Sequence, residues 1–373
     1  MPAAQSGEGR AFQAPSRYIQ GPGELKNLPK FAGTFGNKAL LIIDTFFFKE
    51  FSVSLPEYFK EAGMQAYVYE HKTGATDAAI EALVEFTKTL PEVPDSFIGI
   101  GGGTAIDVTK AAGAAFKKAW FSCPTAITTD APTSTHSVVH NPGEQPKLLF
   151  HYKNPDFVVV DTDVTINAPA WMMASGIGDA LATYIESLAS YEHNNVPNAG
   201  CTLGNYKPAL TGMAVAKLCY DVLMTKGREA MLAAKNHLRT PAYEDVVEAT
   251  VLLSGLGFEC TGVSIAHGLE AGFHVLPVKL LHGTGVGYCT LIQLLVENKT
   301  EMFKEVYDFC KDLGMPVSTY DLGLTEENRA ASIEALVDDV YGKRWNVMNV
   351  PHFYSRDTLV NAIYYLDAYT AQK

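Results

Sequence analysis

Residues 97–107 read Phe-Ile-Gly-Ile-Gly-Gly-Gly-Thr-Ala-Ile-Asp. A short apolar run breaks into three glycines and re-emerges as a helical pattern. A buried strand turning tightly into a helix is the repeating unit of a parallel α/β sheet. The same alternation fills the chain up to about residue 160. Ala39–Asp44 is apolar until its final acid, as a strand covered on both faces reads. A helical stretch follows to about Ala62, then a strand over Gln65–Tyr69. Asp77–Thr87 sets Ile80, Leu83, Val84 and Phe86 among charges, which predicts an amphipathic helix. Phe97–Ile100 is the next strand, Thr104–Lys117 a helix, and Phe157–Val160 a later buried strand. After about Thr165 the texture changes. Met172–Ala189, Ala209–Leu223, Tyr243–Leu256 and Thr284–Asn298 carry helical patterns with little strand signal between them. A chain of 373 residues holds about two domains. The expected architecture is an α/β domain over 1–164 and an all-helical domain over 165–373, with a ligand cleft between them.

Composition narrows the function. Hydrophobic residues at 47% and charged ones at 19% exclude wholesale disorder. The net charge of −12 argues against a non-specific grip on nucleic acid or an anionic membrane. No apolar run reaches the roughly 18–20 residues of a membrane span. Met1–Ala11 is small and polar, without the apolar stretch of a signal peptide. Cys123, Cys201, Cys219, Cys260, Cys289 and Cys310 lie far apart with no CxxC among them. They are expected to be free buried thiols in a reducing cytoplasm.

Five motifs carry chemistry. Gly101, Gly102 and Gly103 let the backbone approach a phosphate at a helix N-terminus, which favours a pyrophosphate. The run is neither GxGxxG nor a P-loop, and a bare tight turn would read the same way. Asp44, at a strand's carboxyl end, suits a ribose 2′-hydroxyl and repels a 2′-phosphate, so it favours NAD; taken alone it reads sooner as a helix cap or a solvated acid. Pro124–His136 is a hydroxyl-rich loop with one carboxylate, Asp130, able to hold a nicotinamide amide or a polyol, or simply to turn the chain. Asp179 opens a largely apolar helix, where a helix N-terminus alone would favour an acid. His267 and His282 lie in an apolar, glycine-rich stretch where single histidines are usually core residues. With Asp179 they supply three ligands acceptable to Zn²⁺ and leave a position open for substrate. Glu270 and His274 compete for that role, since positions 267, 270 and 274 share a helix face.

Together these motifs resemble the glycerol dehydrogenase branch of the iron-containing, metal-dependent alcohol dehydrogenases. The likeness spans nearly the whole chain. It runs from Pro15–Gly21 through Gly101–Gly103, Thr129–Pro132 and Asn154–Asp161 to Gly178–Thr183 and Leu253–Glu259. It implies a dinucleotide-binding α/β domain before an all-α domain, as in dehydroquinate synthase. By the same resemblance Asp179, His267 and His282 are metal ligands, for zinc or else iron or another divalent ion. Gly101–Gly103 wrap the NAD pyrophosphate and Asp44 holds the adenosine ribose. Thr104, Thr125, Thr128, Ser134, His136 and Val138 contact the nucleotide. Asp130 stands beside the substrate hydroxyls as the catalytic candidate. Thr183 replaces the histidine of four-ligand iron relatives, which implies a three-ligand, zinc-type site. The implied reaction is reversible oxidation of glycerol or a related vicinal diol to the hydroxyketone, in a cytoplasmic homo-oligomer, often an octamer.

The chain also departs from that pattern. Thr104 stands where glycerol enzymes often have lysine, and Glu270 where they often have a second histidine. Leu281-His-Gly-Thr-Gly285 replaces a His-Gly-Glu-Lys run, and the stretch between the two histidines is slightly shorter. These departures bear on the substrate rather than on the metal or dinucleotide. A sugar-phosphate cyclase resembling dehydroquinate synthase would need basic residues near the metal, and only Lys279 lies between Ser254 and His282. A dehydrogenase for an acidic polyol and a non-catalytic nucleotide binder are the remaining alternatives.

Overall fold

The computed structural model describes residues 9–193, 206–344 and 346–373. The first elements in chain order are β1 (Arg10–Ala11), β2 (Tyr18–Gly21), α1 (Leu28–Ala32), β3 (Lys38–Asp44), α2 (Thr45–Glu61), β4 (Gln65–His71) and α3 (Asp77–Thr89). They continue with β5 (Ser96–Gly101), α4 (Gly103–Phe116), β6 (Ala119–Pro124), β7 (His136–Val139), β8 (Lys147–Phe150), β9 (Phe157–Asp161) and α5 (Thr162–Thr165). Six of these strands form one all-parallel sheet in the order β2-β9-β6-β5-β3-β4. β3 explains why both faces are covered. Ala39, Leu41 and Ile43 pack with Leu28 and Phe31 of α1 and Leu55 and Phe59 of α2. Leu40 and Ile42 pack with Leu83 of α3 and Val108 and Ala112 of α4. Because side chains alternate along a strand, a continuous apolar run serves two cores at once.

Residues 14–168, joined by His237–Arg239, make one compact unit. The other comprises Pro169–Asn236 and Thr240–Lys373 together with the described residues 9–13, each stretch taken over its described residues. The main run of the first unit ends at Ala168, near the division expected at 164. β1 pairs in parallel with β10 (Lys207–Pro208), and the Gln13 N–H donates to Cys260 Sγ at 3.4 Å. A two-residue strand has no periodicity, so the pattern of apolar residues cannot reveal it.

The helical unit continues through α6 (Ala170–His193), α7 (Leu210–Lys235), α8 (Pro241–Glu248), α9 (Ser254–Thr261), α10 (Ile265–Glu270), α11 (His282–Val296), α12 (Thr300–Leu313), α13 (Arg329–Val340) and α14 (Arg356–Ala371). α7 runs past its expected end at Leu223, and Gly227 within it is a packing contact: a side chain there would stand 2.6 Å from the Phe309 ring. The helix expected over Tyr243–Leu256 is α8 and α9 joined by a π-turn at Ala249–Leu253. Cys123, Cys219, Cys260, Cys289 and Cys310 are free and buried, while Cys201 lies outside the described residues. Among the described residues no single helix is long and apolar enough to cross a membrane.

In the α/β unit, α4 also fixes the loop after β6. Lys110 is fully buried, pairs with Asp107 at 2.8 Å, and donates to Ala131 O at 3.1 Å, Ser134 Oγ at 3.3 Å and His136 O. Asp107 in turn accepts the Val138 N–H at 3.1 Å, and its carbonyl accepts the Ser137 hydroxyl at 2.8 Å. One ion pair therefore ties residues 131–138 to the helix. Lys110→Met strands a buried carboxylate and is expected to cost about 3–5 kcal/mol. Urea unfolding would measure that loss, and faster proteolysis near residues 131–138 would report loop release. His151 lies against the same cluster, its Nε2 2.8 Å from Ser137 Oγ. Burial, and then the Lys110 charge, push its imidazole down to about 4. The unfolded chain binds that proton near pH 6.5, so stability should climb as pH rises from about 4 to about 6.5 and level off above. His151→Gln should flatten that slope, worth about 1 kcal/mol per pH unit in denaturant midpoints.

Candidate active site

α6 and α11 meet backbone to backbone. A Cβ on Gly178 would stand 2.4 Å from the Gly283 carbonyl oxygen, and one on Gly283 only 2.1 Å from Ser175 O. Neither position admits a side chain unless the helices part. Asp179 and His282 are the neighbours of those two glycines, so the contact brings them together. Asp179 Oδ1 lies 3.5 Å from His282 Nε2 and 3.4 Å from His267 Nε2 on α10. The three donor atoms all fall within 4.8 Å of one another. Tetrahedral ligands about 2.0–2.1 Å from a cation lie about 3.3–3.4 Å apart, so two imidazoles and a carboxylate at these spacings fit a divalent ion of the zinc type. Asp179 is buried, His267 partly so, and His282 exposed, which leaves the cluster open on one side.

Each histidine is backed by a carboxylate. Glu186 Oε2 lies 2.5 Å from His267 Nδ1, and its Oε1 accepts the Ser264 and His267 N–H groups at 2.7 and 3.0 Å. Glu270 Oε2 lies 2.8 Å from His282 Nδ1. Burial lowers both imidazole pKa values, but the neighbouring carboxylates override it. Glu186 and Asp179 hold His267 well above its usual range, and Glu270 with Asp179 raise His282 to about 9. Such carboxylates fix the ring tautomer and leave Nε2 facing the cation position.

Several sequence expectations change here. Asp179 is not a helix-opening acid, since it stands mid-helix in α6. His274 does not share a face with His267, because α10 ends at Glu270 and His274 sits on a separate 3₁₀ turn, 3.8 Å from Asp339. Glu270 contacts the outer nitrogen of His282, away from the three donor atoms. Thr183 is buried, 2.8 Å from Ser254 Oγ. Glu186 escaped the sequence reading. Its signal was a lone acid seven residues after Asp179, two turns along the same buried face.

The other candidates cluster in the α/β unit. Asp44, Gly101 and Pro124 end adjacent strands, with Ile43 beside Ile100 and Gly101 beside Pro124. The chain winds outward to β4 on one side of β3 and to β5 on the other. Asp44 and Gly101 therefore flank a topological switch point, where open α/β sheets bind ligands. A Cβ at Gly101 would collide with Asp44 Cβ at 2.7 Å, so protein packing demands that glycine. At Gly102 a Cβ would meet nothing within 4 Å, and at Gly103 only Thr129 Oγ1 at 3.7 Å. The bare backbone there, opening α4 with no side-chain cap, suits a phosphate. Thr104 lies in the first turn of α4, and Thr125 N–H donates to Gly101 O at 3.1 Å. Thr128 and Asp130 belong to the loop after β6, where Asp130 is buried. His136 and Val138 lie on β7. The fully buried Ser134 hydroxyl faces Ala131 O and Lys110. Lys110 and Asp107, which hold this loop, were also missed; a Lys three residues after an Asp in an apolar helix was the available sign.

Comparison with known proteins identifies the family. The family model for iron-containing alcohol dehydrogenases matches residues 15–162. Glycerol dehydrogenase of Thermotoga maritima is 37% identical over 314 residues, covering 83% of this chain and 84% of that one. The glycerol dehydrogenase of Escherichia coli O6:H1 is 31% identical over 364 residues, covering 96% and 97%. The crystal structure of glycerol dehydrogenase from Schizosaccharomyces pombe superposes with a TM-score of 0.89 at 26% identity, covering 98% of this chain and 92% of that one. At these identities over most of both chains, the chain belongs to the glycerol dehydrogenase branch of the iron-containing alcohol dehydrogenase family.

Proposed function

We propose that this chain reversibly oxidises glycerol, or a vicinal diol of similar size, to the hydroxyketone. NAD would bind in the α/β unit and a divalent cation, zinc by preference, on Asp179, His267 and His282. The observation that carries this is the triad itself: three donors within 4.8 Å of one another, both imidazoles at tetrahedral spacing from Asp179 and each backed by a carboxylate. Thr183, engaged with Ser254, supports three protein ligands rather than four. A bound cation supplies the positive charge that acidifies a substrate hydroxyl, and the dinucleotide supplies the hydride acceptor.

The chain's own residues do the rest. Glu186 and Glu270 hold the two rings in orientation. Gly102 and Gly103 receive the pyrophosphate on bare backbone at the start of α4. Asp44 spends Oδ1 on the Phe46 N–H at 2.9 Å. Its other oxygen would accept from a ribose hydroxyl, and its charge disfavours a 2′-phosphate. The loop tied down by Lys110 would carry the remaining nucleotide contacts. Asp130 would hold the diol's second hydroxyl. A reducing, cytoplasmic compartment is supported by five buried free thiols. A homo-oligomer, octameric by resemblance, completes the proposal.

Purified zinc-loaded protein should form NADH from NAD and glycerol or propane-1,2-diol, and a chelator should abolish this until zinc is returned. NADH-silent protein that nevertheless holds zinc and NAD would overturn the proposed reaction. His267→Ala should lose its zinc by elemental analysis as well as its rate. Asp130→Asn should lower kcat/KM for diols at least about tenfold more than for a simple alcohol, and an equal loss on both would remove Asp130 from its assigned role.

A further inference from the structure

Glu270 belongs to α10, one turn after His267, yet its carboxylate serves the other histidine, 2.8 Å from His282 Nδ1. Glu270 is 17% exposed and His282 44%, so the pair lies on the open side of the cluster. Its reach depends on Gly285 in the first turn of α11. A Cβ there would stand 2.9 Å from Glu270 Cγ and 3.2 Å from Phe273 Cε2. The bare glycine is what allows the Glu270 side chain to cross α11 and meet the ring. Three carboxylates, Asp179, Glu186 and Glu270, thus surround two imidazoles. Once the imidazoles are neutral ligands, one divalent cation leaves this group with one negative charge in excess.

We propose that Glu270 is a positioning and specificity residue, set in place by Gly285. It fixes the His282 ring with Nε2 toward the cation, and its charge makes the site select neutral hydroxy compounds over those bearing a carboxylate or phosphate next to the reacting carbon. This rests on reading the triad as the cation and substrate site. Orientation follows from the hydrogen bond, because an imidazole donating from Nδ1 presents its other lone pair to the metal. Selection follows from the excess charge, because like charges repel strongly in a partly desolvated pocket.

The test compares wild type, Glu270→Gln, Glu270→Ala and Gly285→Ala. Zinc affinity is read by competition with a chromophoric chelator. Charge selection is read as the ratio of apparent affinities for propane-1,2-diol and lactate, each as substrate or as competitive inhibitor against glycerol. Gln keeps an acceptor for Nδ1–H but loses the charge. It should therefore bind zinc within about tenfold of wild type, while the diol-to-lactate preference falls by about tenfold. Ala removes both and should lose about 100-fold in zinc affinity. Gly285→Ala displaces the carboxylate without deleting it and should also weaken zinc binding. Wild-type zinc affinity in Glu270→Ala, or an unchanged preference in Glu270→Gln, overturns the inference. Wild-type protein that takes up no zinc overturns instead the site reading beneath it, and the chelator competition tells the two failures apart.

Discussion

The contact between α6 and α11 tolerates almost no side-chain volume, and the cation cluster depends on it. Gly178 and Gly283 each meet the backbone of the opposite helix, and each is the immediate neighbour of a candidate ligand, Asp179 or His282. The two roles are inseparable, because widening the helix gap would carry the carboxylate and the imidazole apart together. Gly268, next to His267, is similarly confined, with a Cβ there 2.5 Å from Val347. Each of the three candidate donors is therefore held by a neighbour whose contribution is its lack of side chain. That rigidity suits a site that must hold its donors close before an ion arrives.

Around this frame the charges are arranged in shells. Buried Glu186 holds both the start of α10 and the His267 ring, so backbone and ligand share one anchor. Lys110 plays the comparable part in the α/β unit with the opposite sign. Its ammonium gathers carbonyl oxygens from a loop that has little regular structure of its own. Both groups are ionisable, deeply buried and fully engaged, a combination that sacrifices tolerance to substitution for definition of a single geometry.

Much of this was legible in the residues, for reasons that differ by region. The parallel sheet announces itself because strands such as Ala39–Asp44 are apolar on both faces and each is followed by a helical period. The Asp-His-His set is legible because its flanking glycines make distinctive short strings. What escaped depends on contacts between distant segments. No local pattern says that Glu270 serves His282 rather than His267, or that Glu186 caps α10. β8 was missed because Leu148 and Phe150 lie outside the core, and β7 because its buried face holds only Ser137 and Val139, too short and too mixed to make an apolar stripe. The loop before it reads as a turn in sequence and acquires its form from Lys110.

The pairing of β1 with β10 has a consequence for how the chain matures. Residues 14–168 are contiguous, apart from the three residues at His237–Arg239, so the α/β unit can gather its sheet as soon as that stretch leaves the ribosome. The partner of Arg10–Ala11 is made roughly 200 residues later. During that interval Arg10–Ala11 has no strand to join. A strand that waits for so distant a partner is among the last pieces of the helical unit to settle.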